Sequence, residues 1–217
     1  FPMWASGMTP ADAANKTVAD IESAGGSAIK VQGDFTKPAE IAAAFALGMQ
    51  TFGGIDIAIN TVGKVLKKPF LETTEEDYDS MAAINSKAAY FFIQEAGRQL
   101  NDGGKICTIV TSLLAAYTGY YSTYGGMKAP VEHFTRAASK EFGSRGISVN
   151  AVGPGPMDTP FFYGQEDANS VEYFKNGSAL GGLTKIEDIV PLIKFLATDG
   201  WWITGQTIFA NGGFVTR

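Results

Sequence analysis

The chain has 217 residues, 45% of them hydrophobic and 18% charged, enough to bury one core and too few for two ordinary domains. Seventeen basic against 22 acidic residues give a net charge of −5, which argues against a basic face for nucleic-acid phosphates. One cysteine, Cys107, and one histidine, His133, exclude a disulfide framework and a cysteine- or histidine-rich metal site, so no metal is expected. No apolar run reaches the ~18–20 residues of a membrane span. No basic-then-apolar leader opens the chain, and a soluble cytoplasmic protein is expected.

The elements alternate strand and helix, which predicts an α/β, doubly wound parallel sheet. Residues 11–24 carry Ala13, Val18, Ile21 and Ala24 on one helical face, stopped by Gly25 and Gly26. Residues 28–32 read as a short strand. An alanine-rich helix follows over residues 38–52, and an apolar strand over residues 55–59. Thr73 or Thr74 caps a long helix reaching Leu100, because Glu76 and Asp77 lie three residues on. Residues 105–110 form the next buried strand. A helix over 122–142, a strand over 147–152, a helix over 186–198 and a strand over 206–210 complete the series. Residues 157–182 lack a clean period and read as a long functional loop with short helices. Residues 1–10 hold no convincing strand and no glycine-rich phosphate loop.

The chemistry concentrates between Ile106 and Lys128. Tyr124 and Lys128 are four apart on a predicted helix and share a face. A phenol titrates near 10, and a fixed cation beside it is expected to lower that value toward neutrality. Ser112 lies twelve residues upstream of Tyr124, at the carboxyl end of a strand, where open sheets place their ligands. Thr111 is its close rival. Cys107, inside an apolar strand, reads as a buried inert thiol, and His133 as a packing or subunit-contact residue.

These residues, with others in order along the chain, resemble the short-chain dehydrogenase/reductase family in its compact single-domain branch. The resemblance rests on Asn60-Thr61-Val62-Gly63, Asn85, Ser112, the Tyr124/Lys128 pair, Asn150 to Gly155 with Thr159, and the closing Thr204-Gly205-Gln206 and Asn211-Gly212-Gly213. It implies a Rossmann-like fold and hydride transfer between a nicotinamide cofactor and a ketone or secondary alcohol. By it, Tyr124 is the general acid and base, Ser112 orients the carbonyl, and Lys128 holds the nicotinamide ribose. Asn85 would support a water linking Lys128 to solvent. Asp34 would touch the adenine, Asn60 and Gly63 the adenosine ribose, and Pro154, Gly155 and Thr159 the nicotinamide end. NADP(H) is favoured, with NAD(H) possible. A homotetramer or dimer through the two long helices is expected, with Tyr90, Phe91, Ile93, Val131 and Phe134 as its apolar stripe.

The family's first strand and phosphate loop have no counterpart here. One strand–helix–strand unit takes ~30 residues or more, so residues 1–217 are expected to be a single dinucleotide-binding and catalytic domain, N-terminally incomplete. Two competing readings follow. One is a catalytically impaired relative serving as an assembly or regulatory subunit. The other is a nucleotide-sugar epimerase, which shares the Tyr/Lys pair but carries a longer C-terminal region. Aromatics at Phe161, Phe162, Tyr163, Tyr173 and Phe174 make the 157–182 loop either an apolar lid for a bulky ketone or a set of anchors to the core.

Overall fold

Strands β1 (Ile57–Asn60), β2 (Lys105–Ile109), β3 (Ser148–Pro154) and β4 (Thr207–Ala210) pair in that order, all parallel, in a computed structural model that describes residues 10–116 and 118–216. The helices are α1 (Pro10–Ser23), α2 (Pro38–Phe52), α3 (Glu75–Met81), α4 (Ala88–Gln99), α5 (Ser122–Glu141), α6 (Pro160–Tyr163), α7 (Ala168–Gly177) and α8 (Ile186–Ala197). They cover both faces of the sheet, giving the doubly wound, Rossmann-like α/β architecture. On one face Ile106 and Val149 pack with Ile41 and Phe45 of α2, Ile93 and Ala96 of α4 and Ala138 of α5. On the other, Cys107 and Val152 pack with Ile189 and Leu196 of α8. The period-2 alternation of a strand sends neighbouring residues to opposite faces, which is why both must be apolar in β2 and β3. Among the described residues, no helix is long and apolar enough to cross a membrane.

Local chemistry explains most boundaries. Pro38 starts α2, and Gly53 ends it in the left-handed region at φ 78°, its N–H returning to the Met49 carbonyl. Thr74 caps α3 reciprocally with Asp77. The long helix expected from there to Leu100 is interrupted by a π-helical turn, Ala82–Lys87, which carries Asn85. Helix α5 runs through Pro130 without a break. Proline at that position deprives the Gly126 carbonyl of its helical partner, and Gly126 is exposed, so water can take the bond.

Residues 28–32 are not the expected strand: they pair with no described strand, and Ile29 and Val31 are exposed, so the ladder that would order them is not formed. The 157–182 segment carries the short helices expected of it, α6 and α7, and Asp167 caps the ten-residue α7 through the Ser170 N–H. Of the proposed interface stripe, Ile93 and Val131 are buried within this chain's own core, while Tyr90 is exposed, edge-on to Phe91 and Phe134. The expected lack of a strand in residues 1–9 falls outside the described residues.

Candidate active site

Tyr124 and Lys128 face the carboxyl ends of the strands from the first turns of α5, both buried. Lys128 Nζ donates to the carbonyl of Ile109, at the end of β2, at 2.9 Å, and to that of Val62, after β1, at 3.3 Å. The ammonium thus ties two strand ends together. At 3% exposure it is stripped of most hydration, and this burial pushes it down to about 8. Burial pushes the Tyr124 phenol the other way, up to about 12, offset in part by a hydrogen bond with the Thr111 side chain. The expected lowering of the phenol by Lys128 is therefore overturned in this structure. Desolvation of a phenolate outweighs the Thr111 hydrogen bond, so the phenol lies above its ordinary value.

The two adjacent hydroxyls divide the work. The chain leaves β2 at Thr111 in extended backbone and turns at once into a 3₁₀ segment, Ser112–Leu114. Thr111 Oγ1 accepts from the Leu113 N–H at 3.2 Å and meets the Tyr124 hydroxyl. Ser112 Oγ donates to the Gly153 carbonyl at 2.9 Å and accepts from Asn211 Nδ2 at 3.0 Å. The bond to Gly153 holds the end of β2 to the end of β3. Sequence spacing does not separate two neighbouring hydroxyls; the direction of the turn does.

Asn85 is fully buried, and its amide is tied to the Lys64 N–H and carbonyl and to the Met81 carbonyl. It braces the loop that carries the Val62 carbonyl. Asn60 Oδ1 accepts from the Val62 N–H, while its Nδ2 is buried without a partner. Asp34 is exposed and bonds the Thr36 N–H and hydroxyl, which hold its carboxyl below the ordinary value. Asp34, Asn60 and Asn85 stand outside the central cavity.

That cavity, of about 240 Å³, brings together Gly63, Thr111, Ser112, Tyr124, Lys128, Pro154, Gly155 and Thr159. Most of its remaining wall is apolar, including Val65, Leu113, Met157, Phe161, Phe162, Phe174 and Phe214. Of the five loop aromatics, Phe161, Phe162 and Phe174 line it, whereas Tyr163 and Tyr173 are exposed. The nicotinamide-ribose end of a dinucleotide fits the floor on two counts. Lys128 has three N–H donors and spends two on carbonyls. A Cβ at Gly63 would lie 3.0 Å from both Lys128 Nζ and Asn85 Oδ1, so glycine keeps that approach open.

The family model described as enoyl-(acyl carrier protein) reductase matches residues 7–215. The chain belongs to the short-chain dehydrogenase/reductase family. It is an NAD(P)-dependent oxidoreductase of that family. A hydroxynaphthalene reductase-like protein of Metarhizium brunneum is 35% identical over 222 residues, covering 94% of this chain and 81% of that protein. The crystal structure of a dehydrogenase from Burkholderia cenocepacia with bound NADP superposes with a TM-score of 0.93 at 59% identity, covering 96% of this chain and 82% of that one. An angucycline C-6 ketoreductase with bound NADP does so with a TM-score of 0.88 at 32% identity, covering 96% and 83%.

Proposed function

We propose that this short-chain dehydrogenase/reductase reduces ketones to secondary alcohols, with NADP(H) as the favoured cofactor and Tyr124 as proton donor. The observation that carries the reading is a buried phenol one helical turn from a buried lysine, with two hydroxyls, Thr111 and Ser112, in the wall of the same apolar cavity. The NADP and ketoreductase structures with the same fold support the cofactor and the substrate class.

Reduced nicotinamide, when bound, supplies the hydride to the carbonyl carbon. The residues of the chain do the rest. A phenol held near 12 is fully protonated at neutral pH, as a donor must be. Tyr124 passes its proton to the carbonyl oxygen as that oxygen gains charge, and is left as a phenolate. A hydroxyl at the end of β2, Ser112 with Thr111 as its rival, donates to the developing oxyanion and fixes where the carbonyl sits. Lys128 uses its remaining N–H for the ribose hydroxyls, and solvent returns a proton to the phenolate. The apolar wall excludes water, which strengthens each of these interactions. In alcohol oxidation Tyr124 accepts the proton instead. Ser112 secures the Gly153 turn from which Pro154 and Gly155 reach the nicotinamide end.

Tyr124→Phe tests the reading. With NADPH and a bicyclic aryl ketone, kcat is expected to fall by roughly 10²–10⁴-fold, while NADPH fluorescence still reports saturable binding. Undiminished turnover in the variant overturns it.

A further inference from the structure

The segment after β3 is built as a flap. Met157 and Thr184 form a parallel bridge, and the Asp158 and Thr184 N–H groups donate to the Thr184 and Pro156 carbonyls, so residues 158–183 leave and rejoin the body at one narrow neck. Gly181 and Gly182 turn the returning chain in the left-handed region, at φ 79° and 78°. Within the flap lie α6 and α7, whose rings Phe161, Phe162 and Phe174 form one wall of the cavity.

The far end of the flap is tied down. Glu166, between the two helices, has a side chain only 1% exposed. One carboxylate oxygen pairs with Lys67 Nζ at 2.5 Å, and the other accepts from the Tyr121 hydroxyl at the start of α5. The Lys67 N–H donates to Gln165 Oε1 at 3.1 Å. Lys67 belongs to the segment that follows β1 and Glu166 to the one that follows β3, whereas Thr111 and Ser112 end β2 between them. The tie therefore spans the strand end that carries the site.

Its chemistry suits a latch better than a permanent seam. Apolar contacts of similar volume would hold the closed position at least as well, but parting them exposes apolar surface. For an ion pair, desolvation offsets most of the attraction, and both charges regain hydration when they separate. Lys67 already keeps part of its surface in water. Closed and open positions are thus close in free energy, as a gate requires.

We propose that Lys67 and Glu166 are positioning residues that latch the flap over the cavity, opening to admit the ketone and closing to hold it against Tyr124. This rests on the ketone-reductase reading of the same cavity. Neither residue takes part in proton transfer. They act through Phe161, Phe162 and Phe174, which the closed flap sets against the substrate.

Lys67→Met keeps the apolar stem and removes the charge; Glu166→Gln keeps an acceptor for Tyr121 and Lys67. In Lys67→Met, hydrogen exchange followed by mass spectrometry is expected to quicken roughly 10-fold over residues 160–177, while β2, β3 and α5 keep wild-type protection. KM for the bicyclic aryl ketone with NADPH should rise about 10-fold with kcat undiminished, as loss of an interaction common to ground and transition states requires. Glu166→Gln should fall between the wild type and Lys67→Met in both readouts. A seam with only a structural role would quicken exchange in flap and body together, or leave KM unmoved, and either result overturns the proposal. Unchanged exchange over residues 160–177 overturns the latch alone. A wild type that reduces no ketone while binding NADPH saturably overturns the reductase reading on which the proposal rests. Either variant suffices if the other does not fold.

Discussion

Strands β3 and β1 sit two places apart in one sheet and live in different environments. All seven positions of β3 are buried, with helices on both faces. In β1 only Ala58 and Asn60 are buried, while Ile57 and Ile59 are 43% and 42% exposed, and residues 28–32 add the exposed Ile29 and Val31. The candidate site lies on the fully packed side: Thr111 and Ser112 follow β2, Gly153 to Gly155 close β3, and α5 lies across β3. The residues assigned by resemblance to the adenosine end, Asp34 and Asn60, lie toward β1.

The contrast predicts a series of effects, the largest at Lys128. Its folded value of about 8 lies below the ordinary 10.5. Between these values the unfolded chain holds a proton that the folded chain lacks, so stability rises with pH from about 8. Tyr124 acts in the opposite sense. Its folded value of about 12 exceeds the ordinary 10.0, so stability falls again above pH 10. Thermal melts between pH 8 and 10 are expected to rise in the wild type and to lose that slope in Lys128→Met. At pH 7 the variant gains up to about 3 kcal/mol, less whatever the Val62 and Ile109 carbonyls lose, and has little turnover. A wild-type melt that is flat over that window contradicts the buried cation.

Next comes the pair of hydroxyls. Ser112→Ala is expected to cut kcat by ~10²-fold and to cost ~1–3 kcal/mol in denaturant melts by leaving the Gly153 carbonyl and the Asn211 amide unpaired. Thr111→Val should have the smaller effect on rate. The reverse pattern of rates would give the carbonyl-orienting role to Thr111. In the sheet itself, Val149→Ala should cost about 2 kcal/mol by opening a cavity in a filled core. Ile59→Thr in β1 should stay within about 0.5 kcal/mol. Equal penalties for these two would remove the distinction between the halves.

Much of this was readable along the chain. Pro38 and Gly53 mark α2 at both ends, and the apolar run from Lys105 announces a strand packed on both faces; the run before Asn60 also forms a strand, but with Ile57 and Ile59 exposed rather than buried as expected. The Tyr124/Lys128 interval was sufficient to put the two side chains on one face, since a helix does so for residues four apart whatever surrounds it. Residues 28–32 show the limit: their alternation suits a strand, but a strand exists only when a neighbour completes its hydrogen bonds. The stretch 157–182 was readable as short helices but not where its aromatic residues go: Phe174 of α7 lines the cavity while Tyr173 beside it is exposed.

Periodicity and capping are local, so element types, their order and the phenol–lysine pair were legible from residue spacing alone. Burial and direction are properties of the assembled molecule. Which of two neighbouring hydroxyls meets Tyr124, why the phenol is pushed up rather than down, and how Glu166 reaches Lys67 from 99 residues away all depend on what packs around each group. Desolvation and hydrogen-bond partners come from distant parts of the chain, and no linear pattern carries them.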